Sequence, residues 1–216
     1  MSIRRPAKIQ PQNFEFTVET LTKANALLKN FPDNRKQSAV IPLLWIVQKQ
    51  HDNWLPLIAI KTVADFLEMP EIRVYEVVTF YTMFNLSPVG TYFIQVCGTT
   101  PCLLAGSDDI IKVCKQKIAS HETTLSDDKK FSWLEVECLG ACSNAPMVQI
   151  NDDYFEDLTI DSFSQILEKL KNGQTVKAGP QNARFAAEPL GGLTCLKEFV
   201  DTSVTVNATV ALCEKV

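Results

Sequence analysis

Cys97, Cys102, Cys138 and Cys142 constrain this chain more than any other feature, because they stand as two close pairs, C-x4-C and C-x3-C, with 35 residues between them. Each pair follows an apolar, strand-like run: Tyr92-Phe93-Ile94-Gln95-Val96 before the first and Phe131-Ser132-Trp133-Leu134-Glu135-Val136-Glu137 before the second. Two adjacent strands ending side by side bring all four sulfurs to one edge of a small sheet. Four converging thiolates are a binding site for a metal ion or an iron–sulfur cluster.

The remaining composition narrows the classes. A formal net charge of −4, with charges interspersed along the chain, argues against a nucleic-acid partner, which would need a basic face. The longest apolar stretch, 39–47, falls far short of the ~20 residues that cross a bilayer. The basic start Met1–Lys8 has neither an apolar core behind it nor a small-residue cleavage site, so no secretory signal is expected. Seven cysteines without such a signal point to a reducing compartment, where paired cysteines serve metal or redox chemistry more often than structural disulfides.

Two grammars divide the chain. Residues 1–16 are polar and proline-containing and are expected to form an arm. Residues 17–88 read as a module of short helices. The first covers Thr17–Lys29, and the second is capped by Asp33 or Asn34. A third covers Leu55–Leu67, with an apolar stripe of helical spacing. A fourth opens at Pro70 and runs through Val74, Val77, Val78 and Phe80. Phe80, Tyr81, Met83 and Phe84 are read as core or interdomain contacts. After Gly90 strands and helices alternate: a strand at 91–96, a helix at 103–118, a strand at 131–137, a hairpin across Asn151-Asp152-Asp153, and a helix from Asp161-Ser162 to Lys171. The fold class is therefore α+β, a helical bundle followed by an α/β domain over 89–175. In that domain the right-handed crossover rule sets the strands at 91–96 and 131–137 parallel and close. The order β-α-β-β-β-α, with a proline before the hairpin, resembles a thioredoxin-like domain. Residues 176–216 read as a tail, either ordered on a partner or partly disordered, with Val200–Leu212 adding a strand.

The spacing leaves three occupants open. Structural zinc favours C-x2-C knuckles, often with histidine, and the only histidines, His51 and His121, lie far from both loops in sequence. A [2Fe-2S] rhomb is elongated and takes a ligand pair at each end, which suits two wider loops, although the plant-type C-x4-C-x2-C spacing is not met. A disulfide is the third. Gly98 and Gly140 are expected to let backbone approach the sulfurs and point N–H groups at them, Thr99 and Thr100 to add hydroxyl donors, and Pro101 to stiffen the approach to Cys102. Cys114, on the crossover helix, reads as a small buried hydrophobe. Neither G-x-G-x-x-G nor G-x-x-x-x-G-K-[ST] occurs, and Gly191-Gly192 is too short for a phosphate loop, so nothing in the chain can be identified as a nicotinamide or flavin site.

The stretches Val77-Val78-Thr79-Phe80-Tyr81-Thr82-Met83-Phe84, Val96-Cys97-Gly98-Thr99-Thr100-Pro101-Cys102 and Cys138-Leu139-Gly140-Ala141-Cys142-Ser143-Asn144-Ala145-Pro146 resemble those of the E-subunit family of NADH:quinone oxidoreductase (respiratory complex I). These are thioredoxin-like [2Fe-2S] proteins that also occur in NAD-linked hydrogenases and formate dehydrogenases. The likeness covers roughly residues 14–180 and finds nothing to match beyond, Cys195 and Cys213 included. It implies one [2Fe-2S] cluster, with Cys97 and Cys102 on one iron and Cys138 and Cys142 on the other. It further implies a partner flavoprotein carrying FMN and the NADH site, and no NADH oxidation by this chain alone. The expected location is the cytoplasmic side of a bacterial inner membrane (the matrix side in a mitochondrion), held through the assembled complex rather than by insertion. Two other classes compete: a zinc-stabilised interaction module, and a thiol oxidoreductase, which would want C-x-x-C.

Overall fold

A computed structural model describes residues 5–189, 191, 192, 194, 195 and 197–199. The chain divides into two compact units between Thr91 and Tyr92, and its architecture is α+β.

In the first unit the apolar stripes form four α-helices. Helix α1 (Val18–Leu28) starts where the Thr17 hydroxyl accepts the Thr20 N–H at 3.1 Å. Neither Asp33 nor Asn34 caps the next helix. Both lie in a 3-10 turn, Asp33–Ala39, and α2 (Val40–Gln50) follows it with Pro42 in the first turn, where a missing N–H costs nothing. Proline also sets the start of α3 (Leu57–Phe66) and α4 (Glu71–Phe80), whose N-caps are Pro56 and Pro70. Leu43, Leu44, Val47, Ile60, Val63, Val74 and Val78 interlock as the core of this unit.

The polar arm is part of that unit. Its residues 5–16 form no helix or strand, yet Phe14 and Phe16 pack on the core, Phe16 edge-on to Phe66 at 5.4 Å. The Ala7 N–H donates to the Leu86 carbonyl at 2.9 Å. Of the aromatic run after α4 only Phe84 is core. Phe80 is 77% exposed and Tyr81 and Met83 are also exposed, because α4 stops at Phe80 and the chain turns back before Phe84 reaches the interior. Buried Gln48 fixes that return, donating to the Met83 carbonyl at 3.1 Å and accepting the Asn85 N–H at 2.7 Å.

The second unit is a five-stranded mixed sheet in the order β2-β1-β3-β4-β5. Strand β1 (Tyr92–Cys97) lies parallel to β2 (Phe131–Val136), with Tyr92 opposite Phe131 and Cys97 opposite Val136. On its other side β1 pairs antiparallel with β3 (Val148–Ile150), which turns through Asn151, at φ +55°, into β4 (Asp153–Glu156). The expected helix at 103–118 is two helices. Gly106, at φ +103°, ends α5 (Thr100–Leu104) and starts α6 (Ser107–Lys117), a left-handed conformation that glycine adopts without a Cβ clash. Helix α7 (Ile160–Lys171) opens one residue before Asp161 with a reciprocal cap: Thr159 Oγ1 accepts the Ser162 N–H, and Ser162 Oγ accepts the Thr159 N–H. It buries Phe163, Ile166, Leu167 and Leu170 against the sheet core, each worth about 1.5–3 kcal/mol of transfer free energy. Cys114 sits in the same core, fully buried.

The sheet continues past the predicted domain end. Gly179–Pro180, read from sequence as tail, forms β5 beside β4, with Phe155 opposite Gly179. The strand expected at Val200–Leu212 lies outside the described residues. Among the described residues no helix is long and apolar enough to cross a membrane.

Ile94 is central to the pairing that positions Cys97, being fully buried and flanked by Trp133 on β2 and Ile150 on β3. Ile94→Ala is expected to lower the stability of the second unit by about 2–5 kcal/mol, read as faster hydrogen exchange at the β1 and β2 amides.

Candidate metal centre

The parallel register of β1 and β2 ends both strands at the same sheet edge, and the cysteine loops leave from there. Cys97 is the last residue of β1 and Cys138 follows β2 by two residues. Cys102 is carried on α5, where Pro101 occupies the first turn after Thr99 as N-cap. Cys142 opens a 3-10 turn, Cys142–Asn144. The structure thus carries both cysteine pairs singled out by spacing to the same sheet edge.

The two pairs differ in surroundings. Cys97 and Cys102 are each 1% exposed and cluster with Met147, while Leu139, Ala141, Ala145 and Tyr154 pack against them. Cys138 and Cys142 are exposed, their sulfurs 3.6 Å apart. Residues of the second loop therefore cover the first pair. Among the described residues no three His, Cys, Asp or Glu side chains gather as ligands of one metal ion would; the thiols stand as pairs.

Each pair contains one thiol held down and one pushed up. Burial works against ionisation of Cys97, but hydrogen bonds from the Thr99 hydroxyl, from the Thr99 and Leu139 backbone and from Cys102 outweigh it, and the thiol lies below its ordinary range. Its partner Cys102 is pushed up to about 12, first by burial and then by the neighbouring Cys97 sulfur. Cys138 is lowered by the Gly140 N–H, by the Cys142 thiol and by the Thr99 hydroxyl, and Cys142 is raised chiefly by Cys138. Thr99 acts on a sulfur of each pair, so the pairs meet there. Each pair thus sets a sulfur with eased ionisation beside one that holds its proton more firmly, and four such sulfurs form a donor set suited to a soft metal centre, which itself lowers thiol pKa values.

The flanking residues follow expectation unevenly. The Gly140 N–H donates to Cys138 Sγ at 3.4 Å, and φ +84° at that residue explains the glycine. The Gly98 N–H instead donates to the Val136 carbonyl at 3.0 Å, and a Cβ there would run into the Glu135 side chain, so Gly98 serves the strand pairing. Thr99 Oγ1 lies 3.4 Å from Cys97 Sγ, whereas Thr100 is an exposed residue of α5. His51 caps the C-terminal end of α2 in the helical unit, its ring 4.8 Å from that of Trp54. Cys195 is an exposed free thiol, and Cys213 lies outside the described residues. Spacing gave no signal for Tyr154, whose hydroxyl donates to the Leu139 carbonyl at 2.9 Å between the second pair. Nor did it mark Arg184 and Asp157, which brace the far end of the same loop.

The sequence profile of the thioredoxin-like [2Fe-2S] ferredoxin family matches residues 24–171, both cysteine loops included. The chain belongs to this family. Among curated relatives, the NADH-quinone oxidoreductase E subunit numbered 1 in Rhizobium meliloti (strain 1021) is 50% identical over 218 residues, spanning 98% of this chain and 79% of the relative. That alignment reaches beyond residue 180, where the sequence resemblance alone found nothing to match. The NADH-quinone oxidoreductase E subunit of Rickettsia bellii (strain RML369-C) is 55% identical over 160 residues, 74% of this chain and 96% of the relative. Among solved structures, the NAD+-reducing [NiFe]-hydrogenase in its H2-reduced state aligns with a TM-score of 0.58 at 16% identity, over 70% of this chain and 26% of the longer hydrogenase chain. At that identity the likeness is one of fold.

The residues fit the cluster that the family name specifies. Four cysteines on two loops meet at a sheet edge, one pair walled by apolar side chains, with backbone N–H groups and the Thr99 hydroxyl directed at sulfur. In the metal-free chain, exposed Cys138 with its lowered pKa is expected to react with iodoacetamide at about pH 7.5 well before buried Cys114, whose thiol burial pushes up to about 12. The Cys138 rate should fall only as pH drops below the ordinary thiol range, as peptide mass mapping would show.

Proposed function

We propose that this chain is the one-electron-transfer subunit of an NADH:quinone oxidoreductase, with a [2Fe-2S] cluster held by Cys97 and Cys102 on one iron and Cys138 and Cys142 on the other. The observation that carries the reading is the pairing of thiols, two from each loop, at the common edge of β1 and β2. Relatives at 50–55% identity, named as E subunits of that oxidoreductase, favour this assembly over the hydrogenase, whose likeness is one of fold.

A bound [2Fe-2S] cluster supplies reversible one-electron chemistry. The chain's own residues bind and tune it. Cys97 and Cys102 offer a dry end, walled by Met147, Leu139 and Tyr154, and Cys138 and Cys142 an exposed end. Hydrogen bonds to sulfur from Gly140 N–H and the Thr99 hydroxyl favour the reduced, more negative state and so raise the potential. NADH releases its electrons as a hydride pair, and the chain has no nucleotide-binding motif, so FMN and the NADH site are assigned to a partner flavoprotein. The isolated chain then oxidises no NADH. Its place is the cytoplasmic face of a membrane-bound complex, held by neighbouring subunits.

The purified full chain should contain two irons and two acid-labile sulfides, as the [2Fe-2S] family name specifies, and be reddish-brown. Cys97→Ser and Cys138→Ser should each abolish or remodel the visible spectrum, while Cys114→Ser leaves it unchanged. Colourless protein holding zinc without sulfide would overturn the proposal in favour of a structural zinc module.

A further inference from the structure

The loop bearing the second cysteine pair is clamped from outside the predicted domain. Arg184 lies four residues past β5, in the segment that sequence reading assigned to the tail. Its guanidinium grips Asp157 through both carboxylate oxygens, Nε to Oδ2 at 2.8 Å and Nη2 to Oδ1 at 2.7 Å. The same Nη2 donates to the carbonyl of Ser143, the residue after Cys142, at 2.6 Å, and Nη1 donates to the Glu188 carbonyl at 2.8 Å. Both charged side chains are only 10% exposed. Buried Asn144 completes the link, donating to Asp157 Oδ2 at 3.2 Å and to the Ala186 carbonyl at 2.8 Å, while the Asp157 N–H donates back to the Asn144 carbonyl at 2.8 Å.

We infer that Arg184 is a positioning residue for the cluster site, holding the Cys142-Ser143-Asn144 turn in place through Asp157. The inference rests on the [2Fe-2S] reading above and extends it to residues with no sulfur chemistry of their own. Two features distinguish this clamp from an ordinary surface ion pair. Its fork geometry needs a planar guanidinium, which a lysine ammonium cannot reproduce. Its third contact falls on the main chain one residue from a thiol rather than on another side chain. Tyr154 holds the same loop at Leu139 from β4, so the stretch from Cys138 to Cys142 is braced at both ends. Residues that orient metal ligands in this way commonly change metal affinity by about 10–100-fold when replaced.

The test uses the full chain loaded with its cluster. Arg184→Lys and Asp157→Asn are compared with wild type and with Leu170→Ala, which destabilises the same unit from α7, away from the loop. The readouts are the rate of iron release to bathophenanthroline, the visible circular dichroism of the oxidised cluster and the EPR spectrum of the reduced one. Both clamp variants should release iron about 10–100-fold faster than wild type, with altered dichroism and EPR, while Leu170→Ala keeps the wild-type spectra. Asp157→Asn preserves side-chain shape and one acceptor, so it reads the clamp even where Arg184→Lys fails to fold. Wild-type spectra in the clamp variants, with iron release no faster than in Leu170→Ala, would overturn the inference and leave Arg184 a mere fastener of the tail. A wild-type chain without labile sulfide would overturn the cluster reading itself.

Discussion

The parallel pairing of β1 with β2 is the interaction on which the rest of this chain depends. With Cys97 directly opposite Val136, both strands finish level, and whatever follows them emerges at one edge. A register slip of one residue would turn the alternating side chains of a strand to its opposite face. Trp133 and Ile94 resist that slip. Both are fully buried, and the Trp133 indole N–H donates to the Ala119 carbonyl at 2.8 Å, tying β2 to the end of the crossover helix. The apolar core of the second unit thus holds a sulfur site that contributes little apolar surface itself.

Polar groups in this chain work where they are buried and do little where they are not. The ion pairs Lys23–Glu19, Lys61–Asp65, Arg73–Glu76 and Lys112–Asp109 are largely exposed, and pairs of that kind contribute about 0–1 kcal/mol. Arg184–Asp157 is the contrast, desolvated, bidentate and shared with main-chain carbonyls. Removing one member of such a pair strands the other as an uncompensated charge, at a cost of about 3–5 kcal/mol. The site therefore combines a dry thiol pair fixed by apolar packing with an open pair fixed by hydrogen bonds. That asymmetry leaves one end shielded from water and the other accessible.

The local grammar of the chain was readable because it depends on neighbours in sequence. Thr17 caps α1, Pro56 and Pro70 precede helices, and Asn151 turns a hairpin, all through interactions within a few residues. Even the misreadings are local competitions. The single helix expected at 103–118 is interrupted at Gly106, which ends one helix and begins another. Phe80 sat at helical spacing with Val77 but occupies the last turn, where the core has already closed.

By itself the sequence determined where the paired thiols stand and which strands deliver them. Four thiols in two spaced loops, each after a β-run and joined by a crossover helix, leave few arrangements open once crossovers are right-handed. Only the tertiary structure decided how those thiols differ, with Cys97 and Cys102 buried and Cys138 and Cys142 exposed. It also decided what braces them. Tyr154, Asp157 and Arg184 reach the second loop and its flank across separations of 13 to 41 residues. Nothing in a one-dimensional pattern marks such partners, because burial and long-range hydrogen bonding arise only when distant segments share the same space.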